Sequence, residues 1–166
     1  MLYYFVMVRY GEMVNMTEEQ VTKKILEWLI NNSWEIVTYD FPQSGTGKYL
    51  HPNKNIRKEK SKNDKAFIPD IVAVKDGIAI FFENKNRFFL DDFIKLRDIR
   101  NDNIYSEDIA RLLKNYNIID ILYGIGASKS KKFIEKSNFY FDYIDFIVVV
   151  DSCFETVLDR NEVFKI

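Results

Sequence analysis

The sequence predicts an α/β fold in which a central mixed β-sheet is flanked by helices. Residues 67–85 contain two apolar runs joined by Asp-Gly, a favoured two-residue turn, and therefore predict a β-hairpin. Residues 118–125 and 144–150 are unbroken apolar runs, typical of strands covered on both faces. Strands that follow one another first and alternate with helices later favour a mixed sheet.

The first part of the chain predicts a helix, a strand and a long loop. Residues 17–20 read Thr-Glu-Glu-Gln, which is a capping box, and apolar residues then recur at helical spacing up to an Asn-Asn-Ser run. Residues 34–41 predict a strand that a proline ends. Residues 43–65 are polar and basic without periodicity, so we expect a long loop before the 67–85 hairpin.

The second part of the chain predicts alternating helices and strands. The helical patterns cover 91–100, 106–117 and 129–137, and the strand patterns cover 118–125 and 144–150. Gly124 and Gly126 predict a tight turn between a strand and a helix. The pattern of residues 154–166 fits helix and strand equally poorly.

Length and composition predict a single globular domain over residues 1–166, with 1–15 as a possible N-terminal extension. Apolar residues make up 47% and charged residues 30%, ordinary values for such a domain. The formal net charge of −1 excludes a global basic field, so any binding of nucleic acid would depend on local basic patches.

Cysteine and histidine usage narrows the chemistry and the compartment. Cys153 is the single cysteine, which excludes an internal disulfide and favours a reducing cytoplasm. With His51 as the single histidine, a zinc site of thiolates and imidazoles is not expected. The apolar start lacks a signal-peptide pattern, and no apolar run is long enough to span a bilayer. We expect neither a membrane partner nor a small-molecule cofactor.

The hairpin turn places two carboxylates face to face. If Asp76 and Gly77 are the two turn residues, Asp70 lies opposite Glu83. Opposed side chains lie about 4.5–5.5 Å apart, and like charges there are destabilising unless a cation lies between them. Lys85 projects from the same face because side chains alternate along a strand. The pattern predicts a divalent metal site with an adjacent lysine, although acids and lysines on a solvated strand end would read similarly.

These residues also resemble a known family. A helix, a strand and a hairpin that carries Pro69-Asp70 and Glu83-Asn84-Lys85 are similar to the PD-(D/E)XK nuclease superfamily, in particular to type II restriction endonucleases. The resemblance covers residues 17–126. It implies a restriction-endonuclease-like core of α-β-β-β-α-β order and a DNA endonuclease that uses Mg²⁺, with Mn²⁺ as a substitute.

The resemblance also implies roles for individual residues. The implied catalytic residues are Asp70, Glu83, Lys85 and Glu18. The implied metal ligands are Asp70, Glu83 and the backbone carbonyl of Asn84, which are the hard oxygen donors that Mg²⁺ prefers. Lys85 would orient a water or offset charge in the transition state. Glu18 is preferred to Glu19 because it precedes the inward-facing Val21 by one helical turn, but either could join the site.

The long loop predicts a DNA contact. Residues 48–65 carry seven Lys or Arg against two acids, which provides a local positive segment leading into the hairpin. The residues predicted to bind DNA are Gln43, Lys48, His51, Asn53, Lys54, Arg57, Lys58 and Lys65. The alternative is a solvated surface loop without a ligand.

The expected partners are double-stranded DNA and a second copy of the chain. One subunit with one site would cut one strand, so double-strand cleavage implies a homodimer. Other readings of the same core are a Holliday-junction resolvase, a DNA-repair nuclease and a DNA-binding module that does not cleave. A purely structural or protein-binding domain, with the acids as surface features, is a further alternative.

Overall fold

The computed structural model describes residues 16–56, 65–151 and 153–164, and these form a mixed six-stranded sheet flanked by helices, as predicted. The strands are β1 (Glu35–Tyr39), β2 (Ile71–Lys75), β3 (Ile78–Lys85), β4 (Asp120–Ser128), β5 (Phe146–Val150) and β6 (Phe154–Asp159). The helices are α1 (Glu18–Asn31), α2 (Leu90–Asp102), α3 (Ser106–Leu112) and α4 (Lys131–Ser137), and a 3₁₀-helix spans Asn138–Tyr143. The possible extension over 1–15 lies outside the described residues.

The strands lie in the sheet in chain order, from β1 at one edge to β6 at the other. The pairs β3–β4 and β4–β5 are parallel, and the remaining pairs are antiparallel. Both parallel connections step in the same direction and such connections are right-handed, so α2, α3 and α4 lie on one face of the sheet. Helix α1 covers the other face. Among the described residues, no helix combines the length and apolarity needed to cross a membrane.

Side chains of β3 divide between the two core layers. Phe81 belongs to the same buried cluster as Phe93 of α2, whereas Phe82 belongs to the cluster of Ile25 and Leu29 of α1, and all five side chains are fully buried. Because both faces of the strand are covered, its apolar run is continuous rather than alternating. This coverage makes β3 a rigid support for the polar residues at its C-terminal end.

The predicted hairpin register is confirmed. Asp76 and Gly77 have φ values of 50° and 82°, the two positive values that a tight primed hairpin turn requires. Lys75 is therefore paired with Ile78, and the ladder continues as far as Ile71 and Phe82. The next residues along the two strands are Asp70 and Glu83. The turn therefore determines which two residues lie opposite each other at the open end of the hairpin.

The structure shortens the predicted helix of 106–117 and assigns the ambiguous C-terminal region. Helix α3 ends at Leu112, and Leu113 and Tyr116 reach the core from a turn that leads into β4. Residues 154–159 form strand β6, which pairs antiparallel with β5 although its side chains are mostly half-buried. A half-buried edge strand lacks the apolar run that would identify it in sequence. Other boundaries differ from the predictions by a few residues, as helix and strand ends commonly do.

The prediction of a tight turn at Gly124 and Gly126 was wrong, because both residues lie inside β4. A Cβ atom on Gly124 would come within 2.2 Å of the Phe146 ring, and one on Gly126 would come within 2.1 Å of Ile25 Cδ1. Glycine is present here because neighbouring side chains occupy the space that a Cβ would need, and no turn is involved.

Candidate active site

The open end of the hairpin gathers the predicted carboxylates and lysine beside the first turns of α1 and α2. Asp70 lies one residue before β2, and Glu83 and Lys85 end β3. Val72 and Phe81, which lie two residues from Asp70 and Glu83 along their strands, belong to the core layer under α2. Because side chains alternate, Asp70, Glu83 and Lys85 share that face of the sheet. The three predicted side chains are thus brought together.

Asp70 is held close to β3 in an environment that disfavours its charge. Its Oδ2 accepts a hydrogen bond from the backbone N–H of Asn84 at 2.5 Å. Burial, followed by the charge of neighbouring Glu83, raises the pKa of Asp70 to about 8, although the Asn84 hydrogen bond opposes the shift. Without a further cation the Asp70 carboxyl is therefore largely protonated at neutral pH.

Lys95 of α2 is a member of the site that the sequence analysis missed. Its Nζ forms an ion pair with Oε1 of Glu83, whose side chain is only 4% exposed. The same Nζ lies 3.8 Å from Asp92 Oδ1 and 5.3 Å from the centre of the Phe67 ring. Asp92 and Lys95 are three residues apart on a helix that begins just after β3. This spacing was the signal in the sequence that could have placed both side chains on one face of the helix near the site.

Lys85 lies between the first turns of α1 and α2. Its Nζ is 3.8 Å from Glu18 Oε1 and 4.0 Å from Asp92 Oδ2. Burial acts to lower the Lys85 pKa, but the surrounding carboxylates, led by Glu83, together raise it above the ordinary lysine value. Lys85 therefore carries a positive charge at neutral pH and is suited to stabilise negative charge, whereas a base would need a lowered pKa.

The structure separates the two candidate acids of α1. Glu18 lies beside Lys85 at the site, whereas Glu19 is exposed and forms an ion pair with Lys23 at 2.5 Å. The two side chains leave adjacent positions of the helix and so point in different directions. Glu18 is the acid that faces the proposed site.

Asn84 joins the site through its backbone and the α1 layer through its side chain. Nδ2 donates to Thr22 Oγ1 at 3.0 Å, while buried Oδ1 has no hydrogen-bond partner among the described residues. A Cβ on Gly126 would lie 2.3 Å from that Oδ1. The backbone N–H and C=O of one strand residue leave the strand on the same edge, so the Asn84 carbonyl is directed to the edge where Asp70 lies. This direction suits the predicted ligand role of the carbonyl.

The donors at this end of the hairpin are compatible with Mg²⁺. Within the described ranges the site contains four carboxylates, on Glu18, Asp70, Glu83 and Asp92, and two ammonium groups, on Lys85 and Lys95. Mg²⁺ is commonly held by one or two carboxylates and several waters rather than by an all-protein cage. Among the described residues, no group of three or more His, Cys, Asp or Glu side chains is arranged to hold a metal ion.

The long loop is attached to the site at its base. Leu50 and Phe67 exchange two backbone hydrogen bonds of 2.8 Å, and the Phe67 ring lies near Lys95. Four residues predicted to bind DNA have exposed side chains: Gln43, Lys48, Lys54 and Lys65. Arg57 and Lys58 lie outside the described residues. The DNA contacts remain a prediction.

His51 and Asn53 attach the loop to α3. Asp108 Oδ2 accepts the His51 backbone N–H at 2.7 Å and lies 3.2 Å from the ring Nδ1 of His51. Asn53 Nδ2 donates to Ser106 Oγ at 2.9 Å, and its Oδ1 accepts the Glu107 N–H at 3.0 Å. Contacts to DNA from these two side chains would have to replace or share these hydrogen bonds.

The site therefore combines buried carboxylate oxygens, a backbone carbonyl and two lysines at the end of a rigid hairpin. Comparisons of the chain with protein-family models, curated proteins and solved structures find no match.

Proposed function

We propose that this protein is a Mg²⁺-dependent DNA endonuclease with a restriction-endonuclease-like core of the PD-(D/E)XK type. The observation that carries the proposal is the placement of Asp70 and Glu83 side by side at the open end of one hairpin, with Lys85 on the same face. The element order, α1 and three strands followed by helices and β4, supports the same core. Type II restriction enzymes are the subclass that we favour.

The proposed metal ligands are Asp70, Glu83 and the Asn84 carbonyl. When bound there, Mg²⁺ would polarise the scissile phosphate and lower the pKa of a coordinated water. Asp70 must give up its proton to serve as a ligand, because the metal-free pKa is raised to about 8. The Asn84 N–H would hold the carboxylate in place through its hydrogen bond to Oδ2.

Lys85 would stabilise negative charge that develops on the phosphate. Its raised pKa keeps the ammonium protonated at neutral pH. Glu18 and Asp92, 3.8 and 4.0 Å from Nζ, would hold that ammonium at the end of β3. A fixed charge of this kind lowers the barrier because it is already oriented before the reaction begins. Glu18 thus acts as a positioning residue through Lys85.

The basic loop would bind the DNA backbone next to this site. Exposed Lys48, Lys54 and Lys65 can neutralise phosphates without reading sequence. The hydrogen-bonded Leu50–Phe67 bridge fixes the base of the loop beside α2. Cleavage of both strands would require two such sites, so we propose a homodimer on double-stranded DNA.

The test compares the wild type with Asp70→Asn on plasmid and phage DNA, in Mg²⁺ and in EDTA. We expect cleavage by the wild type in Mg²⁺ only, and a fall of about 10³-fold or more in the variant because one ligand charge is lost. DNA binding without Mg²⁺ should remain similar in the two proteins.

The products distinguish the subclasses. Discrete fragments indicate site-specific restriction, a smear indicates a nonspecific nuclease, and preference for branched substrates indicates a resolvase. DNA binding without cleavage under any divalent cation would instead support a binding module. Absence of both binding and cleavage would overturn the proposal.

A further inference from the structure

We propose that Lys95 is an internal counter-ion that occupies the Glu83 carboxylate in the metal-free protein and gives it up to the divalent cation. The inference rests on the metal site proposed above and adds a residue that the hairpin motif does not contain. Lys95 comes from α2, and its Nζ contacts Glu83 Oε1 directly.

The first step of the argument is the burial of Glu83. Its side chain is 4% exposed and lies on the core face with Phe81, so water cannot solvate its charge. Removal of the partner of a buried carboxylate is strongly destabilising, because an uncompensated charge remains. The metal-free fold therefore needs a cation at Glu83, and Lys95 supplies it.

The second step is that the Lys95 ammonium can release Glu83 and still have other partners for its charge. Its side chain is 40% exposed, whereas that of Lys85 is 20% exposed. The Lys95 ammonium also has two other partners at hand, Asp92 Oδ1 at 3.8 Å and the Phe67 ring at 5.3 Å. The cation–π contact and the 3.8 Å ion pair of this partly exposed lysine are each weak, which allows the long side chain to move between them.

The third step is competition for one carboxylate. A divalent cation held by Asp70 and Glu83 would lie close to the Lys95 ammonium, which contacts Glu83, and would be repelled by it. Removal of this positive charge should therefore tighten metal binding while it weakens the metal-free fold. A lysine with only a structural role would produce the second effect without the first.

The chain offers a matched control in Lys129. This lysine pairs with Glu155 at 2.5 Å and lies 4.0 Å from Asp151, so it also contacts two carboxylates. Lys129 follows β4, Glu155 lies in β6 and Asp151 follows β5, so its partners are not part of the proposed metal site. Lys129→Met removes a lysine ion pair without affecting Glu83, and the partner Glu155 is 43% exposed, so we expect a smaller loss of stability from this variant.

The experiment measures thermal unfolding in EDTA and in saturating Mg²⁺, together with Mn²⁺ binding by calorimetry, for the wild type, Lys95→Met and Lys129→Met. We expect Lys95→Met to have a lower Tm than the wild type in EDTA, and Mg²⁺ to close most of that gap. Its Mn²⁺ Kd should be at least about tenfold lower than that of the wild type, because a nearby like charge has been removed. Any Tm deficit of Lys129→Met should be the same with and without Mg²⁺.

Two results would overturn the proposed role of Lys95 without contradicting the proposed metal site. One is that the wild type binds Mn²⁺ and Lys95→Met binds it no more tightly. The other is a Tm deficit that persists in saturating Mg²⁺. If Lys95→Met does not fold, Lys95→Gln serves instead, since its amide can still donate to Glu83 without a charge. If neither the wild type nor the lysine variant binds Mn²⁺, the proposed function and this inference fail together.

Discussion

Helix α2 forms an ion pair with the sheet region from each of its halves, Lys95 with Glu83 and Arg100 with Asp145, and the two pairs differ in how completely their charges are matched. Near its C-terminal end, Arg100 donates to Asp145 Oδ1 at 3.2 Å, and the other carboxylate oxygen accepts the Tyr123 N–H at 2.9 Å. In its N-terminal half, Lys95 contacts Glu83, but other carboxyl groups crowd the same region. The first arrangement matches one anion with one cation and a backbone donor.

The crowded end carries an electrostatic cost that the other end avoids. Four carboxylates share two ammonium groups among the described residues there, and the pKa of Asp70 is raised to about 8 by burial and by Glu83. A fold selected for stability alone would not need so many acidic groups around two ammonium groups. Buried acids with strongly shifted pKa values and incomplete compensation are typical of functional sites. The contrast supports the proposal that the hairpin end is a functional site, whereas the contacts of Asp145 are those of a structural ion pair.

The largest expected effect is on catalysis at the crowded end. Lys85→Met should lower kcat by about 10²–10³-fold, because a preoriented positive charge near the phosphate is lost. Arg100→Met, at the other end of α2, is the control and should leave kcat within a few-fold of the wild type. Single-turnover cleavage of a labelled duplex measures both. Equal kcat values for Lys85→Met and Arg100→Met would contradict the proposed functional difference between the Glu83 and Asp145 regions.

The next effect is a pH dependence of stability that comes from Asp70. Between pH 4 and 8 the native state retains a proton that the unfolded state has released, because the folded pKa is raised from 3.8 to about 8. The free energy of unfolding of the metal-free wild type should therefore fall as pH rises through this window. Asp70→Asn has no carboxyl group to ionise at this position. It should therefore be more stable than the wild type at pH 8, by about 1–4 kcal/mol.

Urea unfolding in EDTA at pH 5 and pH 8 measures this difference. The gap between Asp70→Asn and the wild type should widen as pH rises. A gap that is constant with pH, or one that widens toward acid, would contradict the raised pKa of Asp70.

A smaller effect is expected from the matched carboxylate. Asp145→Ala should lower the free energy of unfolding by about 2 kcal/mol, because the Arg100 guanidinium and the Tyr123 N–H lose their acceptor. Its Mn²⁺ affinity should equal that of the wild type. Chemical denaturation and calorimetry provide the two values, and a change in affinity would show that the two ends of α2 are coupled.

The smallest effect is expected in the exposed loop. Lys48→Ala and Lys54→Ala should each weaken DNA binding modestly and reduce the slope of log K against log[salt] by about 1, because each removes one phosphate contact. Binding in EDTA at several salt concentrations, by fluorescence anisotropy, measures the slope. An unchanged slope in both variants would indicate that the loop does not contact DNA.

Local chemistry in the sequence was sufficient for the hairpin and for α1. Asp76 and Gly77 adopt the positive φ values that their residue types tolerate, and the register to Phe82 follows from that turn. Thr17 and Gln20 form the predicted capping box, with hydrogen bonds of 2.9 and 3.2 Å. Each of these features depends on residues a few positions apart, so the sequence alone determined them.

Only the tertiary structure decided which distant residues join them. Lys95 and Asp92 reach the site because α2 packs on the face of the sheet that carries Glu83. The glycine at 126 is required because Ile25 and Asn84 fill the space beside it. Residues 154–159 are a strand because β5 offers them an open edge. Helix packing and edge pairing depend on the summed burial of many side chains, which no short segment encodes.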